Sequence, residues 1–235
     1  MRSPSRNQLL AVVGICSTAL AAGLIAFSLA GGSGSRPAPA VAAGASGANA
    51  LLRDLPQQGL VLGNPQAPVT LVEYADLQCP YCGIWARDTL PALVREYVSQ
   101  GKVKLVFRGL AFVGPDSATG LAAALAAARQ DRLWQVVDLV YANQRQENAG
   151  WLDDGLLRSI GSQVPGLDVG RMLGERSSPA VIAAARESQQ KADEAGVTST
   201  PSFQVGRSGG PLRRLELRSL DPSAFRPALN ALLPS

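Results

Sequence analysis

The residues of this chain best suited to covalent chemistry are two cysteines two residues apart, Cys79-Pro80-Tyr81-Cys82. Thiols at that spacing can close a short disulfide, one sulfur attacking and the other resolving. The same spacing also serves half-sites for zinc and plain structural clips. Zinc requires about four ligands, usually Cys or His. This chain of 235 residues has no histidine, and its third cysteine, Cys16, lies in an apolar N-terminal stretch. A clip across so short a loop removes little chain entropy. The absence of histidine also removes Ser-His-Asp and Cys-His nucleophile systems and most transition-metal sites, so neither a metal nor another cofactor is called for.

The flanking elements favour redox work. Val69-Thr70-Leu71-Val72-Glu73-Tyr74 reads as a buried strand, β-branched and mostly apolar, and Gly83-Ile84-Trp85-Ala86-Arg87-Asp88 opens a helical pattern. Pro80 suits a first helical position, where its missing N–H costs nothing. Cys79 then sits at a helix N-terminus, beside unpaired N–H groups and the positive end of the macrodipole. Such a field lowers a cysteine pKa from about 8.5 to roughly 4–7.

Around this strand–helix junction the pattern alternates. Gly59–Leu62 reads as a short first strand and Val103–Phe107 as the strand after the motif helix, a β–α–β order that implies parallel neighbours. Pro91 inside the helical run predicts a kink near Thr89. Helical spacing continues through Ala118–Arg129, Asp131–Asn143, Leu152–Ile160 and Pro179–Ala195. Thr200–Val205 reads as a strand, Gly209-Gly210 as a hairpin turn into Leu212–Leu217, and Ser223–Leu233 as a terminal helix.

The N-terminus points to a membrane. Residues 1–8 hold Arg2 and Arg6 and precede an uncharged apolar run at 9–30, long enough to span a bilayer and longer than an ordinary signal-peptide core. The arginines place residues 1–8 in the cytoplasm and the rest of the chain outside, as a single-pass protein of the cell membrane. Cleavage after Ala30 or Ala40 stays open. Cys16 lacks the small preceding residue of a lipobox. Residues 31–50 are Gly, Ala, Ser and Pro with almost nothing to bury, a flexible tether whose typical reach is on the order of 25 Å. Of the formal charge of +4, residues 1–50 supply +3 through Arg2, Arg6 and Arg36 with no acid, so nothing argues for a nucleic-acid surface. Arg207, Arg213, Arg214 and Arg218, interleaved with leucines, read as the solvent side of a strand. With only two cysteines in the region beyond the apolar run, structural disulfides are absent although that compartment would allow them.

From Leu55 to Leu233 the chain resembles membrane-anchored DsbA-like thiol:disulfide oxidoreductases of the thioredoxin superfamily. The resemblance rests on Gly63-Asn64-Pro65, on Cys79-Pro80-Tyr81-Cys82 after Val69–Tyr74, and on Gly196-Val197-Thr198-Ser199-Thr200-Pro201 before a core strand. It implies an α/β thioredoxin-like fold over 51–235 with a helical insertion at about 112–195. It also implies a redox-active Cys79–Cys82 disulfide and a cis Thr200-Pro201 bond facing it. By the same resemblance Glu73 lies beneath the resolving cysteine. There a buried carboxylate of raised pKa would take the proton from Cys82; the alternative is a strand-end glutamate facing water. Catalytic residues are thus expected at Cys79, Cys82, Pro201 and Glu73, and client contacts at Pro80, Tyr81 and the Thr200 backbone. Tyr81 stands where DsbA itself has histidine. A neutral phenol stabilises the Cys79 thiolate less, which predicts a weaker oxidant.

The function implied is disulfide donation to cysteine-containing extracytoplasmic proteins by a monomer, reoxidised by a membrane redox partner. The alternatives are the same chemistry run as reductase or isomerase, or a peptide-binding chaperone module with incidental redox activity.

Overall fold

In the computed structural model, which describes residues 46–234, strand β3 (Val69–Asp76) is buried along its whole length. A strand covered on both faces belongs inside a sheet with layers on either side. It pairs in parallel with β4 (Val103–Leu110) and antiparallel with β5 (Ser202–Arg207). The hairpin of β1 (Gln57–Gln58) and β2 (Val61–Leu62) extends the sheet beyond β4, and β6 (Arg213–Arg214) extends it beyond β5. The order is β1-β2-β4-β3-β5-β6. The first strand expected from the sequence is therefore a hairpin, turning at Gly59 with φ +56°.

The parallel pair is joined by helical residues 80–98, in four segments. Helix α1 (Ser46–Arg53) precedes the sheet; α2 (Pro80–Ile84) follows β3 and passes through a π turn, Trp85–Thr89, into α3 (Leu90–Leu93) and a second π turn, Val94–Val98. Pro91 explains the first widening. It has no N–H to give, and the N–H of Leu90 reaches back to the Trp85 carbonyl while Thr89 sits at φ −108°. The kink expected near Thr89 takes this form.

Between β4 and β5 lie α4 (Pro115–Ala128), α5 (Leu133–Ala142), α6 (Asp154–Gly161), α7 (Val169–Glu175) and α8 (Pro179–Glu194). This is the helical insertion. Helix α7 is not evident in the sequence, because two glycines in seven residues dilute its periodicity; Asp168 caps it by accepting from the Arg171 N–H at 2.9 Å. Helix α9 (Pro222–Asn230) closes the chain, shorter than the helix expected at 223–233.

Two expectations are corrected at the edges. Residues 46–50, read as the end of the tether, begin α1, which Leu52 anchors by burying its side chain in the core. The strand expected at 212–217 is only Arg213–Arg214; the next residue, Leu215, is buried and donates its N–H to the Phe203 carbonyl in the same register, after which the pairing stops. Among the described residues no helix is long and apolar enough to cross a membrane. Residues 1–8, the expected span at 9–30 with Cys16, and the tether up to residue 45 lie outside the described residues.

Alternation along β3 sorts its side chains. Val72 and Tyr74 meet Leu110, Ala192 and Val197 on the α8 side. Leu71 and Ala75 join the larger core with Trp85, Phe203 and Phe225. Glu73 has the same parity as Leu71 and Ala75, which places it on the face covered by the motif helix.

Candidate active site

Strand β3 ends at Asp76, and three residues later Cys79 is the N-cap of α2, extended at φ −62° and ψ 119°, with Pro80 following in the first turn. No side chain caps this helix, so its leading N–H groups are left for the Cys79 sulfur. Proline and extended backbone together make the junction abrupt, as the sequence implies. Cys82 sits one turn on, with no exposed surface. Both cysteines are free thiols here.

Cys79 is 6% exposed, less open than a solvent-facing nucleophile would be. Its cover comes from across the molecule, where Sγ donates to the carbonyl oxygen of Thr200 at 3.2 Å. The Thr200-Pro201 peptide bond is cis. The sheet thus brings together two motifs far apart in sequence, and Pro201, the residue after that carbonyl, is half-buried. Pro80 and Tyr81 lie outermost, Tyr81 at 64% exposure.

The pKa values of the two sulfurs are shifted in opposite directions. Cys79 is lowered to about 6 by a hydrogen bond from the Cys82 thiol, against the opposing effect of burial; the Thr200 side chain and the backbone N–H groups of Cys82 and Tyr81 add to the lowering. Cys82 is pushed well above the ordinary thiol range by burial first, then by its hydrogen bond to Cys79 and by the charges of Cys79 and Glu73. At neutral pH the arrangement is one thiolate and one thiol, the Cys79 donation to the Thr200 carbonyl belonging to its protonated form. That is the ionisation pattern of an attacking and a resolving sulfur.

Glu73 is buried and does not face water. Its register partners are Phe107 on β4 and Phe203 on β5, and neither carboxylate oxygen has a hydrogen-bond partner. Burial, and next the charge of Cys79, raise its pKa well above the usual carboxylate value. A buried acid whose pKa is raised is a group chemically suited to exchanging a proton with a thiol.

Other polar residues hold the loop between β3 and α2, and sequence reasoning did not single them out. The buried Asp76 carboxylate accepts from the N–H of Gln78 (2.8 Å), Phe112 (2.7 Å) and Val113 (2.9 Å) and from Ser117 Oγ (2.6 Å). Gln78 Nε2 donates to Ser117 Oγ at 2.9 Å, and Gln78 Oε1 accepts from the Asn148 N–H at 2.7 Å. The Tyr141 hydroxyl donates to the Asp76 carbonyl at 3.3 Å. A buried loop must find partners for its backbone, and here the helical insertion supplies them. The polar pair Asp76 and Gln78 at the end of an apolar strand was the available signal.

Two open grooves flank the motif. One, of about 420 Å³, is lined by Tyr81, Ile84, Thr89, Leu220 and Pro222. The other, of about 290 Å³, runs along Pro201, Phe203, Leu215, Leu217 and Leu220. Leu220 is common to both, and its carbonyl accepts from the Thr89 hydroxyl. Among the described residues no cluster of three or more His, Cys, Asp or Glu side chains gathers as a metal site.

The family model described as thioredoxin matches residues 56–209, most of the described chain. The chain belongs to the thioredoxin family. Within that family it is similar to the probable disulfide bond formation protein D of Bacillus cereus, 35% identical over 147 residues that cover 61% of this chain and 68% of that protein. The crystal structure of oxidised BdbD from Bacillus subtilis shares the fold, with a TM-score of 0.65 over 76% of this chain and 96% of that one at 19% identity. A thioredoxin-like oxidoreductase from Silicibacter pomeroyi superimposes with a TM-score of 0.55 at 28% identity, covering 78% of this chain and 95% of that one. This thioredoxin-family chain is a DsbA-like thiol:disulfide oxidoreductase.

Proposed function

We propose that the chain donates its Cys79–Cys82 disulfide to thiols of extracytoplasmic proteins while held at the cell membrane by residues 9–30. A client thiolate attacks the sulfur of Cys79 and breaks the Cys79–Cys82 bond, leaving Cys82 as the departing sulfur. A second client thiolate then attacks the client sulfur of the mixed disulfide, and Cys79 leaves as a thiolate. Electrons pass from two client thiols to the pair, and a membrane redox partner removes them.

The observation that carries this reading is the split between the two sulfurs, Cys79 lowered to about 6 and Cys82 pushed up. A stabilised Cys79 thiolate makes Cys79 the better leaving group and favours the reduced pair, which is the property of a donor. Thiolate pKa values of about 3.5 in DsbA and about 7 in thioredoxin go with potentials near −120 and −270 mV. A Cys79 pKa lowered less far than that of DsbA supports a weaker oxidant than DsbA, in line with a tyrosine at position 81. Glu73 exchanges the proton of Cys82, the Thr200 backbone and Pro201 align the client strand, and Pro80, Tyr81 and the two grooves receive its side chains. The names of the Bacillus relatives support donation over reduction.

The test is the redox state of Cys79 and Cys82 in growing cells, trapped by acid and read by thiol alkylation. Donation predicts a mostly oxidised pair. A mostly reduced pair would mean that the same chemistry runs as reductase or isomerase.

A further inference from the structure

The loop before Cys79 and the first turn of α2 share one side chain that belongs to neither. Gln144, just past the end of α5, points its amide back at the motif, and Nε2 donates to the carbonyls of both Leu77 and Cys79 at 3.0 Å. The Cys79 carbonyl is also the acceptor of the Gly83 N–H at 3.2 Å, the hydrogen bond that closes the first turn. Gln144 therefore grips the chain immediately before the nucleophile and at it. Its backbone is fixed nearby, since Arg87 Nη1 donates to the carbonyl of Tyr141 at 3.1 Å and ties α5 to the motif run a second time.

Gly83 makes room for this grip. A methyl group there would lie 2.1 Å from Gln144 Oε1 and 2.9 Å from its Cδ, with Arg87 Nη1 at 2.8 Å. No side chain fits between the motif helix and Gln144 in its present position. Glycine is otherwise a poor choice within a helix, so its presence inside α2 has a packing reason.

We propose that Gln144 is a positioning residue for the disulfide chemistry, its amide fixing the first turn of α2 against the loop so that the N–H groups of Tyr81 and Cys82 stay aimed at the Cys79 sulfur, and that Gly83 is glycine to admit it. This rests on the reading of Cys79 as the nucleophile. Donors already oriented toward a charge stabilise it without reorganisation. Without Gln144 the Leu77 carbonyl loses its side-chain donor and the turn is held only by its own Gly83 N–H. The N–H groups then spend less time on the sulfur, and both thiolate and reduced pair are less favoured.

The experiment is alkylation of Cys79 by iodoacetamide as a function of pH on the reduced full-length chain, with the site resolved by peptide mass spectrometry so that Cys16 does not interfere. The wild type should show a midpoint near about 6. Gln144→Met keeps the bulk and removes the donors, and should raise the midpoint by about half a unit or more, a change of at least about threefold in thiolate population at a given pH. Gly83→Ala should raise it in the same direction by displacing Gln144, and should add less in the Gln144→Ala background, where only the flexible end of Arg87 still has to move. The glutathione equilibrium of each variant should shift toward the reduced pair being less favoured. An unchanged midpoint in Gln144→Met, with only the melting temperature lowered, would overturn the role of Gln144, as would simple additivity of the Gly83 and Gln144 changes. A wild-type midpoint at the free-thiol value would overturn the nucleophile assignment and the proposal together.

Discussion

The sulfur of Cys79 lies 3.2 Å from the carbonyl oxygen of Thr200, 121 positions further along the chain. The contact requires β3 and β5 to be neighbours, since the motif follows the end of β3 and Thr200-Pro201 precedes the start of β5. The antiparallel register Tyr74↔Ser202 sets the two loops side by side at one end of the sheet. The site is a product of topology, which decides what surrounds the two sulfurs.

The lowered Cys79 pKa gives the reduced protein a pH-dependent share of its stability. Because the folded value, about 6, lies below that of an unfolded thiol, the stabilisation is full above the unfolded value of about 8.5. It decays as pH falls through that window and is gone below about 6. The oxidised form has no such group. The melting temperature of the reduced protein should therefore rise relative to the oxidised one between about pH 6 and 8.5. A pH-independent difference over that range would contradict the thiolate assignment. Cys82, pushed upward, begins to count only above the ordinary thiol value and with the opposite sign.

Glu73 should weaken the fold while serving the chemistry. Its raised pKa means that its contribution is full below the ordinary carboxylate value and is lost as pH rises, so at neutral pH this buried acid without a hydrogen-bond partner weakens the fold. Glu73→Leu should raise the melting temperature by several degrees at pH 7. Release of mixed disulfides through Cys82 should slow by on the order of tenfold or more. A variant that is no more stable yet resolves mixed disulfides at the wild-type rate would remove both arguments.

Asp76 is the opposite case, a buried carboxylate with four donors. Asp76→Ala leaves the N–H groups of Gln78, Phe112 and Val113 and the Ser117 hydroxyl without their acceptor. The loss should be about 3 kcal/mol or more, visible as a lower denaturation midpoint in urea. Asp76→Asn, which keeps one carbonyl oxygen, should lose less. A neutral effect of Asp76→Ala would mean that water replaces the carboxylate and that the loop is less dry than its burial implies.

How far the sequence reveals such a site depends on the range of the interaction. The strand, the proline-led helix and the kink at Thr89 are local consequences of β-branched runs, Pro80 and Pro91, and each is legible. Glu73 is legible as a charge out of place on an apolar strand. The clamp on the loop is not, because Ser117, Gln144 and Asn148 come from the insertion and look like ordinary polar residues until tertiary packing brings them to Asp76, Leu77 and Gln78. The approach of Thr200 to Cys79 is legible only through the family resemblance, since nothing local to either motif places the start of one strand beside the end of another. Helix α7 is hidden by its two glycines.

The division of labour between the sulfurs is the central claim, and trapping tests it most directly. Cys82→Ser and Cys79→Ser chains would each be expressed at native level, and acid-quenched extracts resolved without reductant to display mixed disulfides. The account predicts that in Cys82→Ser the Cys79 thiolate attacks disulfides of oxidised clients and the adducts accumulate, because the resolving thiol is gone, and that Cys79→Ser accumulates almost none, because the remaining sulfur is fully buried with its pKa pushed upward. Equal trapping by both variants, or trapping by Cys79→Ser alone, would contradict it.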